Sequence, residues 1–188
     1  MPAKLLLSRD VPLPRQLAMP ELRLRLRAML KALALPPETE LSVLFTGDEH
    51  IHALNRDYRH KNKPTDVLAF ALREGEGGDP EQAMLGDVVV SVDTAARQAE
   101  EAKKPLLAEV TMLLAHGVLH LLGWDHATAK QDRAMRAETE RLVLAAEAAS
   151  RAARAKARKA AGPDVTARNQ TKKLAPTAGR STVGSPKK

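Results

Sequence analysis

The chain contains no cysteine, and its 188 residues include one tryptophan, one tyrosine and two phenylalanines. The first absence excludes disulfides, thiolate zinc fingers and the cysteine pair of the cytidine-deaminase signature. It is also what a reducing cytoplasm permits. The second leaves Leu, Val, Ala and Met to build the core. No apolar run is long enough to span a bilayer. The opening MPAKLLLSRD has only three leucines before charge returns, too few for a signal peptide. We therefore expect a soluble, cytoplasmic protein.

Acidic residues are scarce at one end only. The formal net charge is +7, yet residues 151–188 carry eleven Lys or Arg against a single acid, Asp164. Residues 1–150 hold 19 basic and 22 acidic side chains, so the basicity belongs to the tail. That tail also lacks large apolar residues and cannot bury enough surface to fold alone. The expected division is a folded domain over 1–150 and a basic, disordered tail over 151–188. Ser150 to Ala161 can extend the preceding helix until Gly162-Pro163 stops it. Two roles stay open for the tail, an electrostatic arm for RNA or ribosomes and a solvated appendage.

Hydrophobic patterning predicts a strand over 3–8, closed by prolines at 12 and 14. From Pro20 to Leu35, Leu22, Leu26, Met29, Leu30 and Leu33 fall on one helical stripe, which outweighs the local Leu-Arg alternation. Leu41–Thr46 reads as a strand, and Asp48 as the N-cap of a helix to about Arg59. Asp66–Leu72 is a short buried strand, Gly75–Pro80 a turn or mobile loop, and Gly86–Val92 a β-branched central strand. Helices follow over about 93–103, over 109–122 behind Pro105, and from near Thr128 past Leu144. The sum is an α+β domain, a four-stranded mixed sheet packed by about five helices.

The chemistry is concentrated in His116-Gly-Val-Leu-His120-Leu-Leu-Gly123-Trp-Asp-His126. On a helix His116 and His120 lie one turn apart on one face. Gly123 can take the left-handed conformation that ends a helix, letting the chain return His126 toward them. Three imidazoles with one open position describe a catalytic zinc site. The spacing follows the zincin pattern H-E-x-x-H-x-x-G-x-x-H except that Gly117 stands where the general-base glutamate would be. Glycine cannot relay a proton, so the metal reading survives and the peptidase reading is weakened. His50, His52 and His60 read as surface residues.

A second segment, Asn55 to Phe70, places Arg59, two lysines and the Thr65-Asp66 pair before a strand. Arg59 suits a phosphate clamp, since its planar fork meets two oxygens at once; a surface pairing with Asp57 or Asp66 is the alternative. Asp66 and Asp87 could each cap a turn or orient an imidazole. Three blocks in order, Asn55…Tyr58-Arg59…Pro64-Thr65-Asp66-Val67-Leu68…Phe70, then Leu85-Gly86-Asp87, then His116-Gly117 through Asp125-His126, make residues 40–145 resemble the YbeY family. Trp124, Ala69 and Ala71 depart from the family's usual tyrosine, serine and proline. Trp124 keeps an aromatic wall but loses a hydroxyl.

The resemblance implies a zinc-hydrolase-like fold and a metal-dependent, single-strand-specific endoribonuclease. It points to ribosomal RNA processing, 16S 3′-end maturation and ribosome assembly or quality control. By resemblance His116, His120 and His126 ligate one Zn2+ ion, and Arg59 joins them in the catalytic site. The implied partners are small-subunit precursor RNA and the ribosome or its assembly proteins, with no membrane and no DNA. Two readings compete: an RNA-binding assembly factor whose metal is structural, and a metallopeptidase that replaces the missing glutamate from elsewhere. The general base stays unassigned, and either water or the RNA 2′-hydroxyl can be the attacking group.

Overall fold

The computed structural model describes residues 3–72 and 83–161. The expected loop at Gly75–Pro80, the stop at Gly162-Pro163 and the remaining tail lie outside the described residues. Strand β1 (Lys4–Arg9), helix α1 (Met19–Ala32), β2 (Glu40–Thr46), α2 (Asp48–Arg59), β3 (Val67–Ala71), β4 (Met84–Ser91), α3 (Val92–Glu101), α4 (Leu106–Leu121) and α5 (Ala129–Ala160) follow in order. The chain divides into two units, Met1–Ala153 and Arg154–Lys188. In the second, the described residues are exposed helix and its closing turn, so the start of the segment assigned to the tail is helical. Among the described residues no helix is long and apolar enough to cross a membrane.

The sheet runs β1-β2-β4-β3. β1 and β4 lie parallel to β2, and β3 is antiparallel to β4, which makes the sheet mixed as expected. Side chains alternate faces along a strand, and that alternation assigns the layers. Leu41, Val43 and Phe45 of β2 join Val88 and Val90 of β4 in the main core with residues of α1 and α4. Val89 and Leu68 point the other way, onto Ile51 of α2. The helical choice for 20–35 holds because Leu22, Leu26, Met29 and Leu30 are buried together. Arg25, also buried on that face, donates to Glu21 at 2.9 Å and to Thr111 of α4 at 3.0 Å.

Three local expectations change. The N-cap of α2 is Gly47, with no side-chain cap. Asp48 sits inside the helix because its carboxylate is used elsewhere, accepting from Ser91 at 2.6 Å and Thr94 at 2.7 Å. Val92 is the first residue of α3 rather than the end of a strand, since the Ser91 hydroxyl caps that helix through Thr94 N–H. β3 is an edge strand in which only Leu68 is fully buried. At Gly86, with φ +141°, a Cβ would collide with the Phe70 carbonyl of β3. Glycine is what lets the edge strand close onto β4 there.

Candidate metal centre

One turn of α4 presses directly on the sheet. A Cβ on Gly117 would lie 2.7 Å from Val88 Cγ1 and 3.3 Å from Val67 Cγ2. The missing side chain is thus a requirement of helix–sheet contact, and the slot a zincin fills with glutamate is closed by β4 and β3. Close packing at 117 sets its neighbours His116 and His120 beside the β3 edge. Their Nε2 atoms are 3.1 Å apart.

The helix then ends in a Schellman motif. Gly123 N–H donates to His120 O at 3.0 Å and Trp124 N–H to Leu119 O at 3.1 Å. Gly123 has φ +79°, the left-handed turn expected of it. The reversal brings His126 back, and one ligand atom from each of the three imidazoles lies within 4.8 Å of the others. Among the described residues this is the one such cluster, and no carboxylate belongs to it. Asp125 accepts from His126 N–H at 2.7 Å, so its side chain secures the turn.

Burial pushes the His116 imidazole below the ordinary histidine value, and the neighbouring His120 and His126 push it further against a small opposing pull from Asp66. His120 is lowered as well, first by burial and then by His126, with Arg59 adding to the effect. Neutral imidazole is the form that ligates a metal. An all-nitrogen set of three, two of them biased toward the neutral form and the set open on one side, fits a borderline divalent ion such as Zn2+.

The sign of the pH effect follows from those lowered values. Protons compete poorly for these imidazoles just below the ordinary value of 6.5. Metal affinity should change little between about pH 7.5 and about pH 6.5, then fall as the pH drops through the lowered histidine values. The metal-free fold should weaken earlier, as the pH falls from about 6.5 toward the lowered histidine values, because the unfolded chain takes up the protons first. Calorimetric titration of metal across that range, with thermal melts of the metal-free protein, checks both. A steep loss of affinity already between the first two pH values would contradict it.

Arg59 comes from the last turn of α2 and lines the same cavity, of about 180 Å³, as the three histidines and Gly117. Its exposed guanidinium touches Ala69 O at 3.5 Å. It pairs with neither Asp57, which is held by Arg56 at 2.8 Å, nor Asp66. The buried Asn55 fixes the loop that follows by donating to Lys63 O at 2.7 Å. Asp66 takes the structural role, accepting from Val67 N–H at 2.8 Å and from Gln98 at 3.0 Å. Gln98 is the partner that sequence reasoning missed; a lone glutamine on a polar helix face carries no signal. Asp87 faces away from the cluster, beside Ser42 and His50 on the opposite side of the sheet. His50 bonds Asp10 at 2.6 Å, His52 bonds Asn62 at 2.8 Å, and His60 ends α2 in the left-handed conformation.

Residues 12–147 match the family model described as Endoribonuclease YbeY. A relative of that name from Geobacter metallireducens is 46% identical over 127 residues, covering 67% of this chain and 84% of the relative. Another from Picosynechococcus is 52% identical over 99 residues, 50% of this chain and 61% of the relative. The solution structure of a Thermotoga maritima protein aligns with a TM-score of 0.57 at 23% identity, covering 79% of this chain and 92% of that one. That last likeness concerns the fold.

Proposed function

Because this chain belongs to the YbeY family of endoribonucleases, we propose that it cuts RNA at the His116–His120–His126 cluster with Arg59 as its phosphate clamp. It is an endoribonuclease, a hydrolase acting on RNA. The observation that carries the assignment of the site is the shared cavity: three imidazoles and one exposed arginine line the same space. The activity belongs to residues 1–150, and the tail from 151 supplies positive charge.

The three histidines hold one Zn2+ ion, which supplies Lewis acidity toward a phosphoryl oxygen and makes water more acidic. The protein's own groups do the rest. Burial favours the neutral form of His116 and His120, so both stay available as ligands at neutral pH. The Arg59 fork meets the non-bridging oxygens of the scissile phosphate and offsets the charge that grows on them. Gly117 holds α4 against the sheet and fixes where the two helical histidines point. The substrate is single-stranded ribosomal RNA, with 16S 3′-end maturation in the cytoplasm, alongside ribosome-assembly proteins, as the cellular setting.

Replacing Arg59 tests the clamp. Arg59→Ala should lower kcat by about a hundredfold, the usual cost of removing one transition-state donor, and leave metal content unchanged. Arg59→Lys should recover part of the rate, since a point charge replaces the fork without its two-oxygen geometry. Wild-type turnover by Arg59→Ala on a labelled single-stranded ribosomal RNA fragment removes Arg59 from the site.

A further inference from the structure

The row on α4 that carries the helical histidines extends beyond them. Ala108, Met112, His116 and His120 are four residues apart, so they stand in line along one face. Successive members are separated by about 6 Å of helix rise. Leu144 and Val143 of α5 wall a groove of about 670 Å³ whose lining also includes Met112 and Met135, and His116 and His126 belong to it as well. The groove and the smaller cavity of the cluster thus have two imidazoles in common. Leu144 is 55% exposed, so its side chain is accessible from the groove.

The charges along the groove narrow what fits. Arg136 holds both oxygens of Asp132, at 2.9 and 3.0 Å, and Lys104 is paired with the buried Glu109. Each cation therefore has a carboxylate beside it that offsets its pull on a phosphate. Glu140, exposed on the same face of α5, has no partner among the described residues. An apolar floor beside an uncommitted carboxylate disfavours the RNA backbone and suits a base, whose flat face is apolar and whose amino groups donate. In single-stranded RNA the bases can splay out of the stack and be read on their edges. The floor begins one helical turn from His116, so only a base next to the phosphate at the cluster reaches it.

We propose that the groove between α4 and α5 seats the unstacked base of the nucleotide flanking the cleaved phosphate. Met112 and Leu144 take its face, and Glu140 accepts from an exocyclic amino group. Cytosine, which offers one where uracil has a carbonyl, is therefore favoured over uracil. This inference rests on the RNA-cleavage reading of the neighbouring cluster.

The full-length protein with 13C-labelled methionine methyls, titrated with cytidine or uridine 5′-monophosphate, tests it without relying on turnover. Met112 and Met135 should shift, with cytidine monophosphate binding about fivefold tighter than the uridine form, the worth of one hydrogen bond. Leu144→Gln, at an exposed helical position, should weaken both nucleotides about fivefold by removing apolar contact. Glu140→Gln should erase the preference, because an amide both donates and accepts. Methyls that ignore both nucleotides, or shifts unchanged in Leu144→Gln, overturn the proposal. Shifts that grow with protein concentration alone give the groove to a second copy and overturn it too. Cleavage of a single-stranded oligoribonucleotide, followed in parallel, separates the two ideas. Cutting with silent methyls removes the base subsite and keeps the cleavage reading, whereas methyl shifts without cutting overturn the cleavage reading and, with it, the place of the base beside a cleaved phosphate.

Discussion

His120→Ala should abolish measurable RNA cleavage, a loss of about a thousandfold or more, while the domain stays folded. The size follows from Lewis-acid assistance worth several kcal/mol, with each 1.36 kcal/mol a factor of ten in rate. The folded outcome follows from where the side chain sits. His120 is only half-buried and faces the cavity, whereas Val118, Leu119 and Leu121 beside it are buried in the core. Alanine is a better helix former than histidine, and its presence relieves His116 of a crowded neighbour. Wild type and variant compared on one labelled RNA, with circular dichroism on both, decide the matter. A variant that unfolds would make the metal structural and favour the assembly-factor reading. A variant that cuts like wild type would move the chemistry elsewhere.

Gly117→Glu, which restores the zincin pattern on paper, should yield no peptidase and cost more than about 3 kcal/mol of stability. Two terms add. The new Cβ starts 2.7 Å from Val88 Cγ1, and overpacking of this kind costs about 1–3 kcal/mol. The carboxylate beyond it enters an apolar helix–sheet contact between Val88 and Val67 without a partner, which costs at least as much again. Gly117→Ala isolates the first term. Alanine gains about 1 kcal/mol in helix propensity, so the net loss should be small but real, near 1 kcal/mol after the clash. Urea melts of the two variants should rank wild type, then Ala, then Glu. An alanine variant more stable than wild type would show that α4 has room to lift from the sheet, and the account of Gly117 would fail.

What could be read in advance was local. His116, His120, Gly123 and His126 fall within one helix and its cap, where spacing in sequence becomes geometry in space almost without intermediaries. Gly117 stood out as an exception to a pattern, but its reason, Val88 and Val67, comes from two strands far away in the chain. Arg59 was recognisable as a candidate clamp because it stands in a motif-bearing segment at the end of α2, and the cavity it shares with the histidines required the fold. Asp48 looked like an N-cap because a carboxylate at a helix start usually is one; Ser91 and Thr94 occupy that carboxylate instead, and Gly47 stands at the cap. The edge position of β3 was hidden because a five-residue apolar strand reads the same at an edge as at the centre. Met112 and Leu144 carried no signal in the sequence, and only the packing of α5 leaves a groove between them.

The four proposed site residues differ in how far the chain must travel to assemble them. The imidazoles come from eleven consecutive residues, so gathering them closes a very short loop at little entropic cost. Arg59 reaches the same cavity only after β3, β4 and α3 have been built between it and His116. On that assignment bound metal would report on one helix and its cap, whereas cut RNA would report on the whole domain. A preparation can be fully loaded and still inactive, and stoichiometric metal is no certificate of a competent enzyme.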